Sequence, residues 1–147
     1  MKFSAFYLLC LLGIVSPLIA AQGSESASVS YDQTYDVGST QLTQVACSDG
    51  RNGLITKGFS TFNSLPGFPL IGGVPAISGW NSSSCGSCWQ LQYQGNTINV
   101  LGIDVGRGGF NIALEAMNQL TNNQATFLGR ITATATQVSP AACGIRV

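Results

Sequence analysis

The feature that most constrains this chain is the spacing of its cysteines in a sequence that contains no histidine. Cys85 and Cys88 form a C-x-x-C pair, while Cys47 and Cys143 stand alone on either side of it. A zinc site would need a second cysteine pair or histidines, and a thioredoxin-like dithiol would begin a helix. The residues after Cys88 instead alternate like a strand. We therefore predict two structural disulfides and no metal site.

The fifth cysteine, Cys10, lies in the N-terminal apolar segment that is predicted to be removed. The other four allow three pairings, and the residues alone argue against only one of them. A disulfide between Cys85 and Cys88 would close only a very short loop, so it would restrict the unfolded chain very little. The two remaining pairings close long loops, and each disulfide would then contribute about 3–4 kcal/mol in the chain-entropy model. The spacing does not choose between 47–85 with 88–143 and the exchanged arrangement.

Residues 1–20 have the layout of a secretory signal peptide. Lys2 provides the positive start, and Leu8–Val15 is an apolar stretch that is followed by small residues at Ala20 and Ala21. The apolar run is shorter than the roughly 20 residues that a membrane span requires. We expect cleavage near Ala20/Ala21 and an extracellular protein, and an even number of cysteines in such a protein favours disulfides.

Removal of this segment defines the composition of the mature chain. Cys10 and Lys2 leave with it, so four cysteines remain, and five basic residues face six acidic ones for a net charge of −1. Charged residues make up only 8% of the chain. That surface is a poor match for nucleic acid or an anionic membrane. We predict a flexible tail over residues 21–27 and a single domain over residues 28–147.

Period-two alternation predicts several strands. One begins near Val29, and two more, Trp89–Tyr93 and Thr97–Ile103, form a hairpin around a turn. A threonine-rich strand covers Arg130–Val138, with small residues on its other face. A mostly β chain of this kind fits a small barrel.

One short helix and one long loop complete the prediction. Ile112, Ala116 and Leu120 recur at helical spacing, and Asn111 is a suitable N-cap for that helix. The segment Gly58–Trp80 is apolar and contains three prolines and several glycines. We predict that it is an irregular loop.

The sequence contains few of the residue combinations that enzymes use for catalysis. Without histidine a Ser-His-Asp triad is impossible, and disulfide-bonded cysteines supply no thiolate nucleophile. Glycoside hydrolysis needs two carboxylates, and only Asp104 with Asp32 or Glu115 is worth testing. Asp104 lies beside Arg107 at the end of an apolar strand, so it is equally a ligand-binding group or the partner of a structural salt bridge. We predict no catalytic residues and no cofactor.

The glycine-rich segment GIDVGRGGFN, residues 102–111, has no nucleotide-binding spacing. It lacks G-x-G-x-x-G, and no Gly-Lys-Ser/Thr follows. Its exposed N–H groups and the Arg107 fork suit a neutral ligand that is rich in hydroxyl groups. Aromatic faces for stacking are available at Tyr31, Phe68, Trp80 and Trp89.

A series of motifs extends from about Ser28 to Cys143, over nearly all of the mature chain. In order they are VSYD (29–32), CSDG (47–50), LPGFP (65–69), GGVP (72–75), GWNSSSCGSCW (79–89), GIDVGRGGFN (102–111) and GR (129–130). Their order and the four-cysteine layout closely resemble the cerato-platanin family of small secreted fungal proteins.

The resemblance implies a six-stranded double-psi β-barrel with short helices, similar to the barrel of expansins. It also implies the disulfides Cys47–Cys85 and Cys88–Cys143. Members of the family occur in the fungal cell wall and in culture fluid.

The resemblance further implies a carbohydrate-binding protein that elicits host defence or immune responses and self-assembles at surfaces. The family binds chitin and N-acetylglucosamine oligomers and loosens cellulosic material, with a host cell-surface receptor as a further partner. Its groove uses an aspartate and an asparagine that match Asp104 and Asn111. Around these two we predict a carbohydrate-binding set completed by Tyr31, Gly106, Arg107 and Gly108. The alternatives are a surface-active structural protein, driven by the apolar Leu65–Trp80, and a weak glycan-cleaving enzyme.

Two residues depart from the family pattern. Ser83 replaces a proline that is common in the family, and this creates an N-glycosylation sequon at Asn81. A glycan on Asn81 would crowd the nearby surface. Val105 replaces the small polar residue that usually follows the aspartate, which removes one hydrogen bond from the expected groove.

Overall fold

The computed structural model describes residues 23–146 together with Gly13, so the predicted signal peptide and its cleavage site lie outside the described residues. Within that range a six-stranded barrel is accompanied by short helices. The strands are β1 (Ser24–Tyr31), β2 (Ile71–Val74), β3 (Cys88–Tyr93), β4 (Asn96–Val105), β5 (Phe110–Ile112) and β6 (Arg130–Val138). The α-helices are α1 (Leu114–Thr121) and α2 (Ala125–Leu128), and 3-10 helices cover Gln33–Asp36, Leu42–Gln44, Phe62–Ser64 and Pro140–Cys143.

The strands close into a barrel in the order β1-β5-β2-β4-β3-β6. The pairs β1–β5 and β2–β4 are parallel, and the other four pairs are antiparallel. β3 and β4 form the predicted hairpin, and β6 has the predicted bounds. The mostly β, six-stranded barrel with short helices is therefore confirmed.

The barrel interior is filled by alternate residues of the strands. In β6 the small side chains Ala133 and Ala135 face inward, while the threonines between them are exposed or half-buried. Small residues on this strand leave room for bulky partners from other strands, because interiors pack to near-crystalline density. Large fully buried side chains include Leu91, Leu101, Ile103, Phe110, Ile112, Met117 and Leu120.

Two disulfides tie the loops to this barrel. Cys47 is bonded to Cys85 and Cys88 to Cys143, across 38 and 55 residues. The pairing implied by the family resemblance is confirmed. Cys88 is the first residue of β3, so its bond fixes the C-terminal 3-10 helix against the barrel.

The predicted flexible tail over residues 21–27 is wrong for Ser24–Ala27. These residues are the first half of β1, and they pair antiparallel with β6 from Thr136 to Ala133. The local sequence is small and polar and carries no strong strand signal. β6 is long enough to supply backbone partners for it, so the ladder orders a segment that its own side chains would not.

The long irregular loop predicted over Gly58–Trp80 contains a barrel strand. β2 lies between β4 and β5, and all four of its residues are buried. A short strand that is buried on both faces and includes Gly72 and Gly73 shows no alternation to detect. Leu65 and Ile77 also lie in the core. Most of the large apolar side chains that suggested surface activity are therefore buried or half-buried, and Trp80 is the large one among them that is exposed.

The prediction that Asn111 caps the helix is also wrong, because Asn111 belongs to β5 and α1 begins at Leu114. The cap comes from a distant part of the chain. The Asp36 carboxylate accepts hydrogen bonds from the backbone N–H groups of Leu114 (2.7 Å) and Glu115 (2.9 Å). A carboxylate at this end satisfies unpaired donors and complements the helix dipole.

Candidate ligand-binding groove

Strand register aligns five residues side by side across the barrel. Arg130 of β6 pairs with Ser30 of β1, which pairs with Asn111 of β5. Asn111 in turn pairs with Gly73 of β2, which pairs with Asp104 of β4. We call these five residues the polar row. Neighbouring strands are about 4.8 Å apart, so the backbone positions of the row span about 19 Å around the barrel.

The side chains at one end of the polar row point away from the core. Val29, Phe110 and Ile131 adjoin Ser30, Asn111 and Arg130 and are buried, and successive residues of a strand face opposite sides. At the other end, the pairing of β2 with β4 shifts register between Gly72 and Gly73. Gly73 is buried, and a Cβ there would lie 2.5 Å from the Val105 backbone oxygen, so the end of β4 covers this position. The open part of the row is therefore Arg130, Ser30 and Asn111.

One end of the polar row opens into a cavity of about 450 Å³. Its lining residues are Ser30, Tyr31, Val105, Arg107, Asn111 and Arg130, none of which is acidic. Tyr31, Arg107 and Asn111 of the predicted carbohydrate-binding set are therefore brought together. The cavity offers an amide, a phenol and two guanidinium groups, which are hydrogen-bonding groups for a polar ligand.

Two hydrogen bonds hold the groove side chains in place. The Ser30 hydroxyl donates to the Asn111 side-chain oxygen at 3.0 Å, which fixes the amide orientation. The Arg130 guanidinium donates to the Ser28 hydroxyl at 2.6 Å. Sequence reasoning placed neither Ser30 nor Arg130 at the site. Arg130 is 19 residues from Asn111 along the chain, and only the pairing of both strands with β1 brings them together.

Asp104 belongs to the polar row, but it does not line the cavity. Its carboxylate accepts hydrogen bonds from the Tyr35 hydroxyl (2.9 Å) and the backbone N–H groups of Ala46 (3.1 Å) and Val105 (2.9 Å). Burial raises the pKa of Tyr35 far above its ordinary value, and the nearby Asp104 charge raises it further. The structure therefore gives Asp104 a bond to Tyr35 where we considered a salt bridge to Arg107.

Gly106 and Gly108 shape the turn between β4 and β5 without lining the cavity. Gly106 is buried, and a Cβ there would collide with the backbone carbonyl of Gly109. Gly108 is exposed and has a φ of +71°, a conformation that glycine adopts without strain. This turn carries the exposed Arg107 at the edge of the groove.

The remaining acids considered for catalysis occupy local structural positions. Asp32 accepts a hydrogen bond from the Thr34 backbone N–H and caps the 3-10 helix after β1. Glu115 is exposed in the first turn of α1. Within residues 23–146 no cluster of three or more His, Cys, Asp or Glu side chains is placed to hold a metal ion. In the same part of the chain, no helix has the length and apolar character of a membrane span.

Comparison with known proteins identifies the family. The family model described as Cerato-platanin matches residues 27–145. The chain is 49% identical over 149 residues to "Allergen Asp f 15" of Aspergillus fumigatus, covering 97% of each protein. The crystal structure of cerato-platanin 3 from M. perniciosa is 47% identical, with a TM-score of 0.79, and covers 82% of this chain and 100% of that one.

A further solved structure resembles the same region. The solution structure titled "the fungal elicitor Cerato-Platanin" is 41% identical with a TM-score of 0.72, covering 79% of this chain and 95% of that one. The residues matched by the family model include strands β2 to β6, most of β1 and all four disulfide-bonded cysteines. The chain is a member of the cerato-platanin family.

Proposed function

We propose that this protein is a secreted, non-catalytic fungal cell-wall protein that binds chitin or N-acetylglucosamine oligomers in the groove. The observation that carries the proposal is the convergence of Tyr31, Arg107, Asn111 and Arg130 on one open cavity. These groups donate and accept hydrogen bonds without placing a carboxylate in the cavity. They suit a ligand whose surface consists of hydroxyl and acetamido groups.

The shape of the groove supports an extended ligand. Arg130, Ser30 and Asn111 lie side by side on three neighbouring strands and all line the cavity, so a chain of sugar rings has a path along them. The cavity volume of about 450 Å³ falls within the range of small-molecule sites. Val105 adds an apolar wall on one side. In this proposal Asn111 and the two arginines contact the sugar, and Asp104 has a structural role through its bonds to Tyr35 and Ala46.

We further propose that the protein elicits host defence or immune responses, with a host cell-surface receptor as its partner. Two relatives support this role through their names, since one is called an allergen and one a fungal elicitor. The N-terminal sequence supports an extracellular location because it has the layout of a signal peptide.

The test is a calorimetric titration of the mature protein with an N-acetylglucosamine hexamer. We expect Asn111→Ala to weaken binding about tenfold, because a polar contact to a ligand is worth on the order of 1 kcal/mol. Thr132→Ala is the matched control, since Thr132 is exposed on β6 and does not line the cavity. Equal affinity of Asn111→Ala and wild type would refute the groove assignment.

A second measurement tests the absence of catalysis. Incubation of purified protein with chitin and cellulose should release no reducing ends above a buffer control. Release that disappears in Asp104→Asn would replace the binding proposal with the glycan-cleaving alternative.

A further inference from the structure

Trp80 is unusual because it leaves most of a large aromatic ring in solvent. Its side chain is 63% exposed, whereas the chain's other described tryptophan, Trp89, is only 9% exposed and donates its N–H to the Ser87 hydroxyl. Tryptophan is highly buried on average in folded proteins. An indole that is exposed and also held in position is therefore a candidate ligand-binding surface.

Two contacts fix the Trp80 ring. Its Nε1–H donates to Asp49 Oδ1 at 2.7 Å. The ring also packs against Gly50, because a Cβ at that position would lie 3.0 Å from Trp80 Cζ2. Because Gly50 has no side chain, the indole packs against its backbone, and a larger residue there would crowd the ring. With one contact at its edge and one at its six-membered ring, the indole is held before any ligand arrives.

The segments on both sides of this contact are themselves tied together. The Asn52 backbone N–H donates to Asn81 Oδ1, and Asn52 Nδ2 donates to the Asn81 carbonyl, both at 2.9 Å. The Cys47–Cys85 disulfide links the same two stretches of chain. Binding to the indole would therefore order little additional backbone, which lowers the entropic cost of association.

The Asp49 carboxylate beside the Trp80 ring determines which ligand fits the site. Both side-chain hydrogen bonds that the structure gives to the Asp49 carboxylate, from Trp80 and from Ser48, go to Oδ1. Oδ2 is the other acceptor of a group that has about four lone-pair sites. An apolar surface or lipid would remove Oδ2 of this carboxylate from water and offer it no hydrogen-bond donor, which is costly. A sugar presents C–H groups on its ring face and hydroxyl donors at its edge, so it satisfies both groups.

We propose that Trp80 and Asp49 form a second saccharide-binding site, at which a pyranose ring of a β-linked N-acetylglucosamine oligomer stacks on the indole. A hydroxyl group of that ring donates to Asp49. The site is separate from the groove, because neither residue lines the cavity that contains Asn111. It therefore remains available in a protein whose groove has been weakened by Asn111→Ala, and the identity of its sugar rests on the proposed function.

The first experiment measures acrylamide quenching of tryptophan fluorescence in the mature Asn111→Ala protein, with and without an N-acetylglucosamine hexamer. The protein is produced without N-glycosylation, because Asn81 adjoins Trp80. We expect the hexamer to protect the exposed Trp80 from acrylamide, while Trp89 is already shielded. Unchanged quenching at saturating hexamer would overturn the proposal, whatever the groove does.

The second experiment compares variants by titration with the same hexamer. In the Asn111→Ala background, Trp80→Ala should weaken the remaining binding about fivefold to tenfold, in keeping with the strength of aromatic stacking. Trp80→Phe keeps an aromatic face and should lose less. Phe127→Ala is the matched control, since Phe127 is 87% exposed and lies on α2.

The two proposals fail in different ways. If Asn111→Ala binds like wild type but Trp80→Ala binds weakly, the groove assignment fails and the Trp80 site stands. If Trp80→Ala binds like its Asn111→Ala parent, the Trp80 site fails. If Trp80→Ala does not fold, the quenching experiment and Trp80→Phe still decide the question.

Discussion

The bond between Tyr35 and Asp104 offers the sharpest test of the structural role assigned to Asp104. Tyr35 is only 7% exposed, and its hydroxyl donates to Asp104 Oδ2 at 2.9 Å. Asp104 Oδ1 accepts from the backbone of Ala46, next to the disulfide-bonded Cys47. Replacing Asp104 with alanine removes the acceptor for both donors. The variants to compare with wild type are therefore Tyr35→Phe, Asp104→Ala and the double variant.

The expected losses follow from what each variant leaves unpaired. Tyr35→Phe removes one hydrogen bond to a charged group and should cost about 1.5 kcal/mol of unfolding free energy. Asp104→Ala leaves the Tyr35 hydroxyl and the N–H groups of Ala46 and Val105 without this partner, and should cost about 3 kcal/mol. Since both variants remove the same bond, the double variant should lose less than the sum, with a coupling energy of about 1.5 kcal/mol.

The assay is urea unfolding of the mature, disulfide-intact protein, followed by circular dichroism and extrapolated linearly to water. Tyr93→Phe is the matched control, because Tyr93 is half-buried in β3, and it should change the unfolding free energy by less than about 0.5 kcal/mol. A coupling energy below about 0.5 kcal/mol would refute the reasoning, since residues that share a bond should couple more strongly.

Three further predictions concern other polar contacts. Asp36→Ala should lower the unfolding free energy by about 1–2 kcal/mol in urea unfolding, because it removes the cap of α1, whereas the exposed Glu25→Ala should not. The hydrogen bond from Trp80 holds the pKa of Asp49 below its ordinary value of 3.8, so the unfolded chain takes up the proton first as the pH falls. The stabilisation from this pair should therefore be present near neutral pH and lost on acidification below 3.8, and Asp49→Asn should remove that part of the acid dependence of tryptophan fluorescence. Burial and Asp104 raise the pKa of Tyr35 above its ordinary value of 10.0, so the unfolded chain loses this proton first and stability should fall as the pH rises above 10.0. Tyr35→Phe should flatten that alkaline decline in the urea midpoint.

The parts of the fold that were predicted correctly carry their signal within a few residues. The alternation of Arg130–Val138 is visible because one face of most of this strand is buried and the other is not. The β3–β4 hairpin was predicted from the turn between its two apolar strands, although β4 is buried on both faces from Val100 to Ile103. β2 was not predicted because it is buried on both faces and shows no alternation. The strand at Ser24–Ala27 was not predicted because the strand it pairs with is more than 100 residues away.

The predicted ligand-binding set was divided by the structure for a similar reason. Tyr31, Arg107 and Asn111 do line one cavity, but Asp104 turns to Tyr35 and Ala46, and the glycines shape the turn. Neighbours in the GIDVGRGGFN motif alternate between faces of the barrel or lie in a turn. Proximity along the chain therefore could not show which of them share a surface.

The sequence by itself determined the class of molecule, because composition, cysteine count and strand periodicity are local or additive properties. Few charges, no histidine and four cysteines outside the predicted signal peptide already favoured a disulfide-bonded β domain. Only the tertiary structure decided which side chains lie close together. Arg130 and Asn111 are neighbours because both of their strands pair with β1. Asp49 accepts a hydrogen bond from Trp80 in two segments that the Cys47–Cys85 disulfide links. Closure of the barrel sets those pairings, because strand register is fixed by which faces must be buried together.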